Sequence, residues 1–188
     1  MIRAIVRVFL FFVFRIRVFG RENLPDGGVI VAANHRSNWD PVIMGVVAKR
    51  KLKFMAKSEL FKTKLSNWFF RAIGAFPIER GKGDIGAIKT SIRLLQNGEA
   101  LLMFPEGSRH KDEELGAAKT GAVMIANRAR VPIVPVYISG KIRWMGKLVV
   151  NFGEPIDITG DGSEKLTKEE MQDMANTVFS KMKDLKVV

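Results

Sequence analysis

The sequence has 188 residues, 47% of them apolar, which suffices for one domain with a single buried core but not for two of ordinary size. It contains no cysteine, which excludes disulfide scaffolds, thiolate metal sites and a cysteine nucleophile. Lys and Arg number 31 against 19 Asp and Glu, a formal net charge of +12, so the surface should attract polyanions such as nucleic acid or anionic lipid headgroups.

Residues 1–20 are predicted to form an amphipathic helix that anchors the protein in the surface of a membrane, ahead of a domain over residues 21–188. On an ideal helix four arginines fall within an arc of about 160°, opposite a cluster of apolar side chains: Arg3, Arg7, Arg15 and Arg17. The longest apolar run has only seven residues, too few to span a bilayer, and no signal-peptide cleavage site follows. The alternative is a helix packed on the core.

Further along the chain, short apolar runs alternate with helical patterns. The predicted strands are Gly28 to Ala33, Leu52 to Ala56, Ala100 to Phe104, Ile133 to Ser139 and Leu148 to Phe152. The predicted helices are Pro41 to Arg50, Glu59 to Ile73, Asp84 to Gln96, Thr120 to Arg130 and Lys168 to Leu185. This alternation predicts a single α/β domain with a mixed, mostly parallel sheet flanked by helices. Ligands of such sheets usually bind beyond the carboxyl ends of the strands.

The first motif, Asn34-His35-Arg36-Ser37-Asn38-Trp39-Asp40, follows the first of these strands. Histidine is the natural general base near neutral pH, and Asp40 can reach the imidazole of His35 if the intervening residues turn. The pair would then act as a base and the group that orients it. The alternative is that His35 is a turn residue and Asp40 only caps the helix that begins at Pro41.

Two further motifs contain cations beside a strand or helix end. In Gly74 to Asp84, Arg80 lies among glycines before a helix start and could bind a phosphate, although an ordinary loop capped by Asp84 fits equally well. In Phe104 to His110, Glu106 could accept a substrate hydroxyl and Arg109 could hold a phosphate, or the two could form a salt bridge. The chain's two histidines, without paired carboxylates, predict no metal site.

Taken in order, these segments resemble the glycerolipid acyltransferase family, particularly the 1-acylglycerol-3-phosphate acyltransferases. Four blocks carry the resemblance: Asn34 to Asp40 is similar to the His-x4-Asp motif, Phe76 to Arg80 to the second block, Phe104 to Arg109 to Phe-Pro-Glu-Gly-Thr-Arg, and Val131 to Val136 to a proline-containing fourth block. The resemblance extends from about Asn34 to Tyr137. Ser108 replaces the usual Thr and keeps its hydroxyl, and His110 stands where Ser is common.

This resemblance implies transfer of a fatty acyl group from acyl carrier protein or coenzyme A to the sn-2 hydroxyl of lysophosphatidic acid, forming phosphatidic acid. His35 would be the base and Asp40 would orient it, without a cofactor or metal. The acceptor and its phosphate would be bound by Lys57, Arg80, Glu106, Gly107, Ser108 and Arg109, with Gly107 also a candidate for the oxyanion hole. The expected location is peripheral, on anionic lipids at the cytoplasmic face of the cell membrane.

Two alternatives remain open from the sequence. The acceptor could be glycerol 3-phosphate or another lysophospholipid. The protein could instead be a non-enzymatic, basic protein that binds membranes or nucleic acid, because a lysine-rich stretch from Lys49 to Lys64 precedes Trp68, Phe69 and Phe70. Helical spacing favours placing these aromatic residues in the core or in lipid, so we do not expect nucleic acid as a partner.

Overall fold

The computed structural model describes residues 14–79, 84–109, 116–140, 146–158 and 166–187. Its strands are β1 (Phe14–Phe19), β2 (Val29–Ala33), β3 (Leu52–Lys57), β4 (Ala75–Ile78), β5 (Ala100–Met103), β6 (Ile133–Gly140) and β7 (Gly146–Phe152). They form a sheet in the order β1-β7-β6-β2-β5-β3-β4. Neighbours pair in parallel except β6 and β7, which are antiparallel. The predicted α/β fold with a mostly parallel sheet is confirmed.

Five α-helices connect or flank the strands within the described ranges. They are α1 (Asp40–Val47), α2 (Lys64–Ala72), α3 (Ile85–Gln96), α4 (Gly121–Ala129) and α5 (Lys168–Asp184), with short 3-10 helices at Arg21–Asn23 and Ser58–Phe61. Side-chain oxygens of Thr63, Asp84 and Thr167 accept backbone amides at the starts of α2, α3 and α5. These caps explain why the helices begin where they do.

The central strand β2 is buried along its whole length, so its side chains alternate between two apolar layers. On one face, Val29, Val31 and Ala33 belong to a cluster with Ile43 and Met44 of α1. On the other face, Ile30 and Ala32 belong to a cluster built with α3, α4 and α5. Each fully buried aliphatic side chain contributes about 1.5–3 kcal/mol to stability, and together they hold the end of β2 in place.

The predicted helix over residues 1–20 is wrong in its last part. Phe14–Phe19 forms β1, which pairs in parallel with β7, while residues 1–13 lie outside the described residues. Arg15 and Arg17 are exposed, whereas Ile16 and Val18 pack against the core. This period-two alternation is typical of a strand with one solvated face. Whether a helix precedes it stays a prediction.

Two other elements differ from the sequence-based expectation. The predicted helix Glu59 to Ile73 is divided, because Ser58–Phe61 is a 3-10 helix and α2 starts anew after the Thr63 cap. Ala75–Ile78, expected to be part of a phosphate loop, is strand β4 at the edge of the sheet. Among the helices that the structure describes, none combines the length and apolar character that crossing a bilayer requires.

Candidate active site

His35 and Asp40 are in direct contact just beyond the carboxyl end of β2. Nδ1 of the imidazole lies 3.0 Å from Oδ2 of the carboxylate. The carboxylate is fully buried and His35 is 9% exposed. Because an ionised carboxylate only accepts hydrogen bonds, Nδ1 carries the proton and the lone pair is on Nε2. The loop therefore holds histidine in the tautomer that a general base requires.

Asp40 also shapes the loop that carries the histidine. Its Oδ2 accepts the backbone amides of Arg36 at 2.6 Å and Ser37 at 2.7 Å. Oδ1 is buried and has no hydrogen-bond partner among the described residues, so the contacts of the carboxylate converge on Oδ2. The alternative in which Asp40 only caps a helix is wrong, because Asp40 is the first helical residue and Trp39 occupies the cap position.

Glu106 supports the same loop from the turn that follows the neighbouring strand β5. Its side chain is 3% exposed, and Oε1 accepts the backbone amide of His35 at 2.8 Å. Oε2 accepts the amide of Gly116 at 3.1 Å. Because both oxygens already accept hydrogen bonds from backbone amides, Glu106 is suited to positioning the loop that carries His35. Acceptor binding by Glu106 stays a prediction, and this geometry argues against it.

Two more contacts fix the imidazole and its loop. The ring of Phe104 stacks on that of His35, with centroids 4.0 Å apart and an angle of 18° between the planes. The side chain of Asn34 bridges to β6, since its Nδ2 donates to the carbonyl of Ile138 at 3.1 Å and its Oδ1 accepts the Ile138 amide at 2.7 Å. The base is therefore held by three strands, β2, β5 and β6.

His35 opens onto an apolar pocket of about 370 Å³ between the sheet and helices α3 and α4. This volume is within the range of small-molecule sites. His35, Gly107, Glu79 and Asp84 contribute polar groups to its wall. The apolar lining consists of Met55, Ile78, Ala87, Ile88, Leu102, Met103, Phe104, Met124 and Ile125. This lining suits an apolar ligand, and the imidazole lies in its wall.

Of the remaining residues predicted to bind the acceptor, Lys57, Ser108 and Arg109 lie at the same edge of the sheet but do not converge as tightly. Arg109 is exposed, and its Nη1 donates to Oδ1 of Asn38 at 3.0 Å, which links the third motif to the first. Lys57 is exposed at the end of β3, and Ser108 is exposed beside Arg109. Arg80 lies outside the described residues. Phosphate binding by these residues stays a prediction.

Asp84, the last residue of the second motif, caps α3, as the alternative interpretation of that motif expected. Backbone hydrogen bonds from Glu79 and then Ala87 hold the pKa of the Asp84 carboxyl below its ordinary value. The stabilisation that this carboxylate provides is present above the ordinary pKa and is lost as the pH falls through the lowered one. Acidification through that lowered pKa should therefore loosen this wall of the pocket.

Gly107 occupies a turn that only glycine adopts without strain. Its φ is +71°, and its amide donates to the carbonyl of Phe104 at 3.0 Å. A Cβ at this position would lie 2.5 Å from Nζ of Lys119, whose own amide donates to Pro105. Because the Gly107 amide already has an acceptor, the geometry argues against the predicted oxyanion role.

Replacing Gly107 by Ala should lower stability by about 1 kcal/mol through the left-handed backbone, and it should also displace the Lys119 ammonium. The urea midpoint of unfolding measures the first effect. Gly45→Ala is the control, because Gly45 lies inside α1 with open space around its Cβ and should become more stable. A Gly107→Ala protein as stable as the parent would contradict the strain argument.

Sequence reasoning missed several residues of the site. Asn34 and Phe104 belong to the first and third motifs but had no role assigned, and Lys119 was not singled out. Asn34 and Phe104 could have been found from their positions, because each directly follows a strand that ends at the active-site edge. Lys119 comes close to Gly107 only through the folded loop, so sequence spacing does not reveal it.

Comparison with known proteins agrees with this geometry. The sequence model of the acyltransferase family matches residues 15–139. A 1-acyl-sn-glycerol-3-phosphate acyltransferase of Bacillus subtilis is 33% identical over 177 residues, which cover 90% of this chain and 87% of the relative. The enzyme of that name from Streptococcus pneumoniae is 38% identical over 167 residues, covering 85% of this chain and 61% of the relative.

A solved structure also matches. The crystal structure of the 1-acyl-sn-glycerophosphate acyltransferase PlsC from Thermotoga maritima superposes with a TM-score of 0.74 at 29% sequence identity. The match covers 98% of this chain and 78% of that one. The matched family region includes both members of the His35 and Asp40 pair and the Phe104 to Arg109 motif. The chain therefore belongs to the acyltransferase family.

Proposed function

We propose that this protein transfers a fatty acyl group from an acyl thioester to the sn-2 hydroxyl of 1-acylglycerol-3-phosphate, forming phosphatidic acid. The observation that carries the proposal is the buried His35 and Asp40 pair opening onto an apolar pocket. The names of the Bacillus and Streptococcus relatives support lysophosphatidic acid as the acceptor.

A thioester is already activated, so the reaction mainly requires a general base beside the attacking hydroxyl. Nε2 of His35 takes the proton of the sn-2 hydroxyl as its oxygen attacks the thioester carbonyl. The tetrahedral intermediate then collapses, the carbon–sulfur bond breaks, and the thiolate leaves with a proton returned by the imidazolium. Asp40 stabilises the imidazolium between these two steps. No covalent enzyme intermediate and no cofactor are required.

The exposed cations at this edge suit the phosphate of the acceptor. Arg109 offers a guanidinium fork for two parallel hydrogen bonds, and Asn38 already orients it. Lys57, Arg80 and Ser108 are further candidates on neighbouring segments. With the phosphate held outside the pocket, the glycerol hydroxyl is the part of the acceptor closest to His35.

The apolar pocket suits the acyl chain of the thioester. Gly121, at the start of α4, lines the pocket, and a Cβ added there would meet no atom within 4 Å. A larger side chain at this position would therefore enter the empty space. The depth of this pocket then determines which chain lengths react fastest.

Gly121→Leu should therefore lower activity with palmitoyl thioesters by about tenfold or more while leaving decanoyl thioesters nearly unaffected. Gly45→Leu is the matched control, because its Cβ also enters open space but lies away from the pocket. Steady-state kcat/KM with both thioesters measures the effect. An equal loss with both chain lengths in Gly121→Leu would exclude this pocket as the acyl site.

The proposal includes the setting of the reaction. Because the acceptor is an anionic lipid and the protein carries a net charge of +12, we place the enzyme peripherally on anionic lipids at the cytoplasmic face of the cell membrane. The acyl donor is acyl carrier protein or coenzyme A, each of which presents the same thioester.

A panel of substrates tests the proposal. The purified protein is incubated with lysophosphatidate, glycerol 3-phosphate and lysophosphatidylcholine, each with acyl carrier protein and coenzyme A thioesters, and free thiol is measured. We expect the highest kcat/KM with lysophosphatidate. A clear preference for glycerol 3-phosphate or lysophosphatidylcholine would replace the proposed acceptor, and no thiol release with any acceptor would exclude the activity.

A further inference from the structure

Helix α2 has its apolar stripe on the outside. Leu65, Trp68, Phe69 and Ala72 follow the i, i+3, i+4, i+7 spacing of one helix face. Leu65 is 75% exposed, Trp68 63% and Phe69 44%. All nine residues of α2 are described and none of them is buried. In a helix that packs on a core this face would be covered, so within the described part of the chain it lacks a partner.

The inner side of α2 is fixed by other aromatic rings. Phe70 contacts Phe61 of the preceding 3-10 helix, with ring centroids 5.6 Å apart, and Phe69 edge-on, at 5.5 Å. The Thr63 and Ser66 capping box holds the start of the helix. The contact of Phe70 with Phe61 and the capping box thus hold α2 with its stripe outward.

Three cations border this apolar stripe. Lys62, Lys64 and Arg71 are all exposed, and Lys64 and Arg71 lie beside Trp68 on the helix surface. An apolar face bordered by Lys and Arg, with Trp at its boundary, is typical of helices that lie in the interface of an anionic bilayer. The formal net charge of +12 favours the same partner.

Three further exposed apolar side chains follow strands at the edge of the sheet that holds the active site. Leu60 follows β3, Trp39 follows β2, and Ile85 begins α3 after β4. Their side chains are 43%, 42% and 66% exposed. Because the carboxyl ends of parallel strands meet at one edge, these three apolar side chains lie at the same edge of the sheet as His35.

The course of the N-terminal chain points to the same edge. Gly140 pairs with Leu148, and Phe14 pairs with Gly146, so β1 begins where β6 ends. Val136 of β6 pairs with Ala33, which directly precedes the active-site loop. The described chain therefore begins, at Phe14, on the active-site edge of the sheet, and the basic, apolar sequence of residues 1–13 precedes that point.

We propose that Leu65, Trp68 and Phe69 of α2, with Leu60, Trp39 and Ile85, form a docking surface for an anionic lipid bilayer, which sets the active-site edge against the membrane. This inference rests on the proposed function, because an enzyme whose acceptor is a lipid must reach that acceptor at a membrane surface. A bilayer suits this surface better than a protein partner does, because Lys62, Lys64 and Arg71 border the apolar stripe as cations border helices in an anionic lipid interface.

Trp68 provides a direct readout of this surface. In the full chain, Trp39→Phe and Trp144→Phe leave Trp68 as the sole tryptophan. Vesicles of equal parts phosphatidylglycerol and phosphatidylcholine should shift its emission to the blue, and brominated lipids should quench it. Emission that vesicles leave unchanged would overturn the proposal. Emission already blue-shifted without vesicles would do the same, since another part of the chain or a second copy would then cover the stripe.

A triple substitution, Leu65→Ser with Trp68→Ser and Phe69→Ser, tests the stripe by vesicle sedimentation. We expect binding to these vesicles to weaken by about tenfold or more, in low and in raised salt. Phe19→Ser is the control, because Phe19 is 53% exposed but ends β1 at the opposite edge, and its binding should be unchanged. Equal loss in both variants, or no loss in the triple variant, would overturn the proposal.

Activity separates this inference from the proposed function. The triple variant should retain acyl transfer to lysophosphatidate in detergent micelles, because none of the three side chains lines the pocket. Normal micellar activity with unchanged vesicle binding would overturn the docking surface alone. Vesicle binding through the stripe without acyl transfer in the parent protein would overturn the function and leave the surface in place.

Discussion

Replacing His35 by Ala is expected to reduce acyl transfer by about 10²–10⁴-fold, since the general base would be lost and the described part of the site holds no second histidine. The loss should appear in kcat, and the urea midpoint should fall by much less than activity does. Thiol release and unfolding measured on the same preparation separate the two effects. Loss of activity that only parallels unfolding would give His35 a structural role.

Asp40→Asn tests whether the pair acts as one unit. The side-chain oxygen of the introduced asparagine can still accept the backbone N–H groups of Arg36 and Ser37. Its NH2 group, however, is a donor, which favours the imidazole tautomer with the proton on Nε2 instead of Nδ1. We expect a large kcat loss, and a double variant of His35→Ala with Asp40→Asn should be no worse than His35→Ala alone. Independent, additive losses would show that Asp40 does not act through His35.

Glu106→Ala is expected to affect both stability and activity. It leaves the buried His35 amide without its 2.8 Å acceptor, which costs about 1–3 kcal/mol, and it frees the loop that positions the imidazole. Stability and kcat should fall together, while KM for lysophosphatidate should change little. Urea unfolding and steady-state kinetics measure these quantities.

Glu106→Gln serves as the conservative comparison for that substitution. Its one remaining carbonyl oxygen can accept either the His35 or the Gly116 amide but not both, so kcat and stability should lie between those of the parent and of Glu106→Ala. A normal urea midpoint combined with a raised KM for lysophosphatidate in both variants would instead support the acceptor-binding role that the sequence predicts.

Much of the fold follows from apolar patterning, and the exceptions have physical causes. The strand β2 is a continuous apolar run, and the helices α3 and α5 carry helical periodicity and N-terminal caps. The spacing of the arginines in residues 14–19 is compatible with a helix as well as with a strand. These residues form a strand because they pair with β7. The four-residue β4 is too short to show a period, and its strand form comes from pairing with β3.

The site was predictable to the extent that it is local. The contact between His35 and Asp40 spans five residues, so one turning loop brings the pair together. The contacts of Glu106 with His35 and of Asn34 with Ile138 join residues 71 and 104 positions apart. Such pairs depend on strand order, which the sequence pattern alone leaves open. For the same reason, the sequence alone does not show that the apolar stripe of α2 faces outward.

Acyl transfer to lysophosphatidate with His35 as the base fixes the ratio of the two products. The purified protein is given sn-1 acyl lysophosphatidate and an acyl thioester, and thiol release and phosphatidate formation are followed together by absorbance and mass spectrometry. The parent protein should form one phosphatidate, acylated at sn-2, for each thiol released, and folded His35→Ala should form almost none. Thiol release without phosphatidate, or equal product from folded His35→Ala, would contradict the account.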